Sequence, residues 1–497
     1  MRASARSLVC LLALLSLGGC LLGPNYERPA VDAPPAFRFA EADTKDLVNT
    51  AWWEQFQDPA LNQLIATALA ENKDVKIAAA RVEQFLGQFQ TTRAQLFPQV
   101  AAGFDAQRER IPVGAIALPA GVGPVFNQFE GTLSASWEID VFGKLRRQTE
   151  AARANLLASE EGRRATILTL VASVATSYVN LLSLDRQLDI AKATAASRGA
   201  SVDVFQLRFS GGEVSQMELA QSQSEYQASL ATIPQIELQI AQQENSLSIL
   251  LGHNPEAIER DRELDDLSLP AVPAGLPSEL LERRPDLRQA EQNLIAANAL
   301  IGAARALYFP SISLTGLFGT ASTQFSSLFT GPARIWSYAG AVTLPIFTAG
   351  SISGLVRQAE AQQQQALYEY QKAIQVAFQD VADSLVSLQK THDQLVVQGR
   401  QVDALRTYSH LARLRYEGGY TSYIEVLDAE RSLFNAQLSY AQAQGTVFTS
   451  TVSLYKAMGG GWVTDAERMT ATMYGANGGP VQPEAAAAEV KVKEPSP

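Results

Sequence analysis

The chain has 497 residues, 46% of them hydrophobic and 18% charged, enough apolar mass for one large elongated fold or two to three ordinary domains. Its 40 basic and 51 acidic residues leave a formal charge of −11. That balance excludes nucleic acid, or an anionic lipid surface, as a partner held through a basic patch.

The N-terminus reads as a secretory signal. Arg2 and Arg6 precede an apolar run over residues 7–17, too short for a bilayer-spanning helix, which needs about 20. Leu17-Gly18-Gly19-Cys20 then resembles the lipobox of bacterial lipoproteins, with residues 1–19 removed and Cys20 carrying the lipid. More than one acyl chain anchors a protein firmly. Leu21 after the cysteine resembles the signal for transfer to the outer membrane. Cleavage removes Arg2, Arg6 and Cys10, so the formal charge becomes −13 and no second cysteine remains for a disulfide. No later stretch reaches 18 apolar residues. A membrane crossing therefore falls to strands.

After a lipidated segment, 20–59, a first unit is expected over 60–252. In 129–141 the odd positions (Phe129, Gly131, Leu133, Ala135, Trp137, Ile139, Val141) are apolar or small, and the even ones run Glu, Thr, Ser, Ser, Glu, Asp. Such period-two alternation predicts a one-sided strand. Strands are placed at about 99–109 and 128–141, and long helices at about 144–210 and 213–251, turning at Gly211-Gly212. A linker, 253–285, leads to a second unit over 286–459. Its strands fall at about 311–320 and 334–346, where Trp336, Tyr338, Gly340, Val342, Leu344 and Ile346 share a face. Its helices fall at about 351–417 and 420–458, turning at Gly418-Gly419. A continuous helix from Lys144 to Phe209 would run roughly 100 Å at 1.5 Å per residue. Residues 460–497 end in a low-complexity tail expected to be disordered.

The two units are copies. Leu207-Arg208-Phe209-Ser210-Gly211-Gly212 is echoed 207 residues later by Leu414-Arg415-Tyr416-Glu417-Gly418-Gly419. At the same offset two stripes step alternately by four and three: Ile167, Val171, Val174, Tyr178, Leu181, Asp185, Leu188, and Ile374, Phe378, Val381, Leu385, Leu388, His392, Leu395. This is the pattern of helices packed side by side, each stripe broken by one polar residue. Four strands cannot close a membrane barrel, which begins at about eight, so closure needs several copies.

The motifs WWEQFQDPALNQLI (52–65), WEIDVFGKLRRQTEAA (137–152), VPAGLPSELLERRPDLRQAE (272–291), NALIGAARALYFPSISLTG (298–316), LPIFTAGS (344–351), LDAERSLFNAQL (427–438) and LYKAMGGGW (454–462) resemble the TolC-like outer membrane factors. The likeness is strongest to the OprM-type lipoprotein channels of tripartite multidrug efflux systems. It implies an α+β homotrimer with a twelve-stranded outer-membrane β-barrel continuous with a periplasmic α-helical barrel. An equatorial region would comprise 20–59, 253–285 and the segment after 459. The implied partners are a periplasmic adaptor protein, an inner-membrane RND-type pump and outer-membrane lipid; no cofactor is implied beyond the lipid on Cys20.

By the same resemblance, Ile424, Asp428 and Arg431 form a periplasmic gate, with Ile424 where a leucine is usual. Their first-half counterparts, Met217, Gln221 and Ser224, are uncharged. The turn segments 208–215 and 415–422, with Arg208, Gly211, Gly212, Arg415, Gly418 and Gly419, would dock the adaptor. No catalytic residues are expected: His253, His392 and His410 are scattered, without metal-ligand spacing. Two alternatives stay open. One is a duct for heavy-metal ions or a secreted polypeptide, although five methionines give no sign of a metal-lined path. The other is a structural periplasmic lipoprotein with no pore.

Overall fold

The structure is a computed structural model that describes residues 21–31, 51–110, 112, 123–270 and 277–460. The expected signal peptide, Cys20 and the C-terminal tail lie outside the described residues. In chain order the elements are α1 (Pro59–Glu71), α2 (Lys73–Ala94), β1 (Gln99–Arg110), β2 (Val125–Ile139), α3 (Lys144–Ser210) and α4 (Gln216–Leu251). There follow α5 (Pro277–Arg283), α6 (Pro285–Ala306), β3 (Ser311–Ser322), β4 (Arg334–Thr343), α7 (Ser351–Glu417) and α8 (Tyr423–Ala457). They divide into two compact units.

One unit holds the sheet, an antiparallel meander in the order β1-β2-β3-β4. Its register aligns Ala102, Leu133, Phe318 and Trp336 across the four strands, and Val100, Ala135, Gly316 and Tyr338 in a neighbouring row. Directly opposed residues share a face, so the apolar positions collect on one side, while Gln99, Ser136, Thr315 and Ala339 lie in a row on the other. The apolar side is bare: Leu133, Phe318 and Trp336 are 52%, 60% and 68% exposed. β4 stops at Thr343, short of the expected 346. Pro345 has no N–H to give to a ladder, and this takes Leu344 and Ile346 out of the strand.

The same unit fastens residues 21–30. Arg147, 1% exposed, donates to the Leu22 and Gly23 carbonyls at 3.0 and 3.3 Å, to Asn25 Oδ1 at 2.9 Å and to Glu150 at 2.8 Å. Asn298 donates to the Pro24 carbonyl at 3.1 Å, and Tyr26 and Arg28 both donate to the Glu291 carboxylate. Gly302 lets the segment approach: a Cβ there would lie 2.4 Å from the Leu22 carbonyl oxygen.

The other unit is helical. Its core runs along the first stripe, with Ile167, Val171, Val174, Tyr178 and Leu181 all at 0% exposure. Trp52 stacks on Tyr455 with ring centroids 5.2 Å apart. The Asp58-Pro59 pair starts α1 because Asp58 accepts from Ala60 N and Leu61 N, and Pro59 occupies a position whose N–H has no helical partner. The other Asp58 oxygen accepts from the buried Tyr178 hydroxyl at 2.8 Å. Burial, then this bond, raises the Tyr178 pKa above its ordinary value.

The two stripes are not equivalent in the fold. Asp185 pairs with Arg260 at 2.9 Å, so the polar break in the first stripe is an ion-pair site; burial nevertheless holds its carboxyl above the usual range, against the pull of Arg260. In the second stripe Leu385, Leu388 and Leu395 are only half-buried and His392 is exposed. Ile374 and Val381 are buried like their counterparts, so within one chain the difference lies in the later part of the α7 stripe, a distinction identical spacing cannot carry. An 18-residue window of α3 also has a mean hydropathy of 1.7, more apolar than the sequence reading allowed, but 67% of it is buried among helices, as core.

α8 crosses α3 at Gly445. A Cβ there would lie 2.9 Å from Ser183 Cβ, and Ser183 Oγ donates to the Ala441 carbonyl beside it. Gly445→Val is expected to lower stability by about 1–3 kcal/mol through overpacking, read as a fall in the thermal unfolding midpoint; an unchanged midpoint would contradict this close crossing.

Candidate functional site

The two glycine turns lie in the helical unit and close with the same bonds. Gly211 N donates to Leu207 O at 3.0 Å, Gly212 N to Phe209 O at 3.0 Å and Glu213 N to Arg208 O at 2.9 Å. At the repeat offset, Gly418 N donates to Leu414 O at 3.0 Å, Gly419 N to Tyr416 O at 2.9 Å and Tyr420 N to Arg415 O at 2.8 Å. These bonds satisfy carbonyls that a helix end leaves free, and they need one left-handed residue. Gly212 and Gly419, both at φ +76°, supply it.

Each return helix begins three residues later than the spacing predicts, at Gln216 and Tyr423, because turn and cap occupy the interval. Ser215 accepts from Glu218 N, while the Glu218 carboxylate accepts from Ser215 N. The second turn is held differently: Glu425 accepts from the Thr421 hydroxyl and pairs with Arg415 at 3.2 Å.

A cluster absent from the sequence reading ties the four helix ends together. Phe205, Leu219, Ala412, Tyr423, Val426 and Ala429 are buried in one apolar group. The Phe205 ring lies 4.1 Å from that of Tyr423, and Tyr416 lies 5.2 Å from Tyr423. Arg208 donates to the Tyr416 hydroxyl, and Tyr423 is hydrogen-bonded to Ser222; burial raises the pKa of both phenols. The repeat hides this cluster, since Phe205 matches Ala412 and Tyr423 matches Gln216. The signal available was the run of tyrosines around Gly418-Gly419.

With Tyr423, Val426 and Ala429 facing inward, the opposite side of α8 carries the predicted gate residues. Ile424 is 59% exposed. Asp428 and Arg431 are brought together at 2.8 Å, both about half-exposed. Such a surface pair contributes under about 1 kcal/mol to a protomer. In the first hairpin Met217 is exposed and no charged pair stands at Gln221 and Ser224.

Over residues 64–253 and 276–460 the sequence matches the family model described as Outer membrane efflux protein. The chain belongs to that family. This outer membrane efflux protein is 38% identical over 456 residues to the probable efflux pump outer membrane protein TtgC of Pseudomonas putida, covering 90% of this chain and 93% of the relative. It is 37% identical over 458 residues to the cation efflux system protein CusC of Escherichia coli, covering 90% and 97%. The open-state structure of the MtrE outer membrane channel of Neisseria gonorrhoeae matches it with a TM-score of 0.80 at 32% identity, over 89% of this chain and 99% of that one. The α+β channel fold and the outer-membrane location that the resemblance implied are those of the family.

Proposed function

We propose that three copies of this chain form the exit duct of a tripartite efflux pump, conducting small molecules passively from periplasm to exterior. The observation that carries the reading is the four-stranded sheet. One face is apolar and uncovered, and among the described residues neither β1 nor β4 has a partner on its outer edge. Open edges and bare apolar surface are liabilities in water, and both are removed when sheets join edge to edge inside lipid. Three sheets supply twelve strands.

In this reading Cys20 carries the lipid, an inner-membrane RND-type pump supplies the energy, and an adaptor docks on the turns at 208–215 and 415–422. Ile424, Asp428 and Arg431, repeated three times, narrow the duct. At 38% identity to TtgC and 37% to CusC, similarity does not single out metal ions as the cargo, and five methionines give no sign of a metal-lined path.

Purified full-length protein in mild detergent is expected to have the mass of three chains by light scattering and to conduct in planar bilayers. A monomer that leaves bilayers silent would overturn the proposal.

A further inference from the structure

The helical unit holds a cleft of about 540 Å³ between α3, α7 and α8. Small-molecule sites commonly fall at about 300–1,000 Å³. Four arginines line this one: Arg186 and Arg198 from α3, Arg406 and Arg413 from α7. Against them the lining offers a single carboxylate, Glu430, paired with Arg413. Arg186 and Arg406 pair with Asp265 and Asp403, which stand outside the lining.

Arg198 differs from the rest. Its side chain is 6% exposed, and its Nη1 donates to the Glu225 carbonyl at 2.8 Å and lies 3.2 Å from the Glu225 carboxylate. Its Nη2 is buried and has no acceptor among the described residues. The guanidinium lies over the Phe434 ring, 5.4 Å from its centre, which fixes its plane before any ligand arrives. A buried donor without an acceptor is unfavourable, and an anionic oxygen is the partner that relieves it most. Beside it, Ile190, Leu433 and Phe434 give the cleft an apolar wall.

We propose that this cleft binds a small organic anion, its carboxylate or sulfonate held by Arg198 in the field of the other three arginines and its apolar body laid against Ile190, Leu433 and Phe434. The occupant touches α3 of the first hairpin and α7 and α8 of the second, so it fastens one hairpin to the other. The site takes no part in the conduction reading above and stands or falls without it.

The test is a fluorine NMR titration of the purified full-length protein in detergent with 4-(trifluoromethyl)benzoate, compared with the neutral 4-(trifluoromethyl)benzamide and with inorganic phosphate as competitor. Saturable binding of the benzoate alone is expected, with phosphate a poor competitor. Arg198→Gln should weaken it at least about tenfold, the loss of one charge-assisted hydrogen bond. Arg406→Gln, at an exposed position that the fold does not need, should weaken it about threefold through the lost field alone. The proposal is overturned by equal uptake of the benzamide, by displacement by phosphate at equal concentration, by absence of saturation, or by undiminished binding in either variant. If Arg198→Gln fails to assemble, the Arg406→Gln titration decides.

Discussion

Replacing Asp428 and Arg431 together with alanine is expected to raise the conductance of the reconstituted channel at low voltage. The pair is exposed and contributes little to the fold of one protomer, so its removal leaves the hairpins intact. Its position is what matters. Tyr423, Val426 and Ala429 anchor one side of α8 to the aromatic cluster, leaving Ile424, Asp428 and Arg431 on the exposed side, which in the gate reading faces the axis of the ring. In the gate reading, three acidic and three basic groups would meet at a constriction, and an apolar ring beside them would resist wetting. A rise on the order of fivefold or more is expected, the scale of a typical coupling between two states of a protein. Gln221→Ala with Ser224→Ala, at the uncharged counterparts, should change conductance little. Single-channel recordings in which the double alanine variant matches the wild type would remove Asp428 and Arg431 from the gate.

The second large effect is on the N-terminal segment. Arg147→Met should release residues 21–30, because one buried guanidinium satisfies two main-chain carbonyls and the Asn25 side chain together. Methionine retains the length of the stem but leaves those acceptors unpaired, a loss of about 3 kcal/mol or more. Chymotrypsin should then cut after Tyr26 much faster than in the wild type, where the Tyr26 hydroxyl is bonded to Glu291. An unchanged cleavage rate would mean that Asn298 and Glu291 suffice to hold the segment. By the lipidation reading, Cys20 lies directly before this segment, so the clamp would also fix where the acyl chains enter the membrane.

Much of this architecture was legible because it rests on local periodicity. The alternation in 129–141 and the glycine pairs at 211–212 and 418–419 each mark their element without knowledge of what packs against it. Burial was not legible in the same way. The stripes on α3 and α7 have the same spacing, yet Leu181 is sealed and its counterpart Leu388 is not, since Leu181 belongs to the core that Trp52, Phe56, Phe448 and Tyr455 pack into. Helices α1, α2 and α6 also escaped the sequence reading. The Asp58-Pro59 start was on view within a motif, but its meaning depends on Tyr178, 120 positions away in the chain. Arg147 stands beside Arg146 in the motif 137–152, and nothing in its neighbours indicates that it is 1% exposed. At the candidate gate the sequence placed Asp428 and Arg431 on one face, but not the tyrosine cluster behind them.

The register of the sheet also dictates an order of events during synthesis. β2 pairs with β3 along Phe129 to Ile139, yet the whole first helical hairpin lies between those strands in the chain. When β1 and β2 emerge they have only each other, and a lone two-stranded ribbon is marginally stable in water. Contacts so distant in sequence form slowly. The ribbon must therefore be shielded in transit until the second half arrives, and even the finished sheet keeps two raw margins until sister chains meet. In the three-copy reading, maturation and insertion into lipid become a single step, which no protomer completes alone.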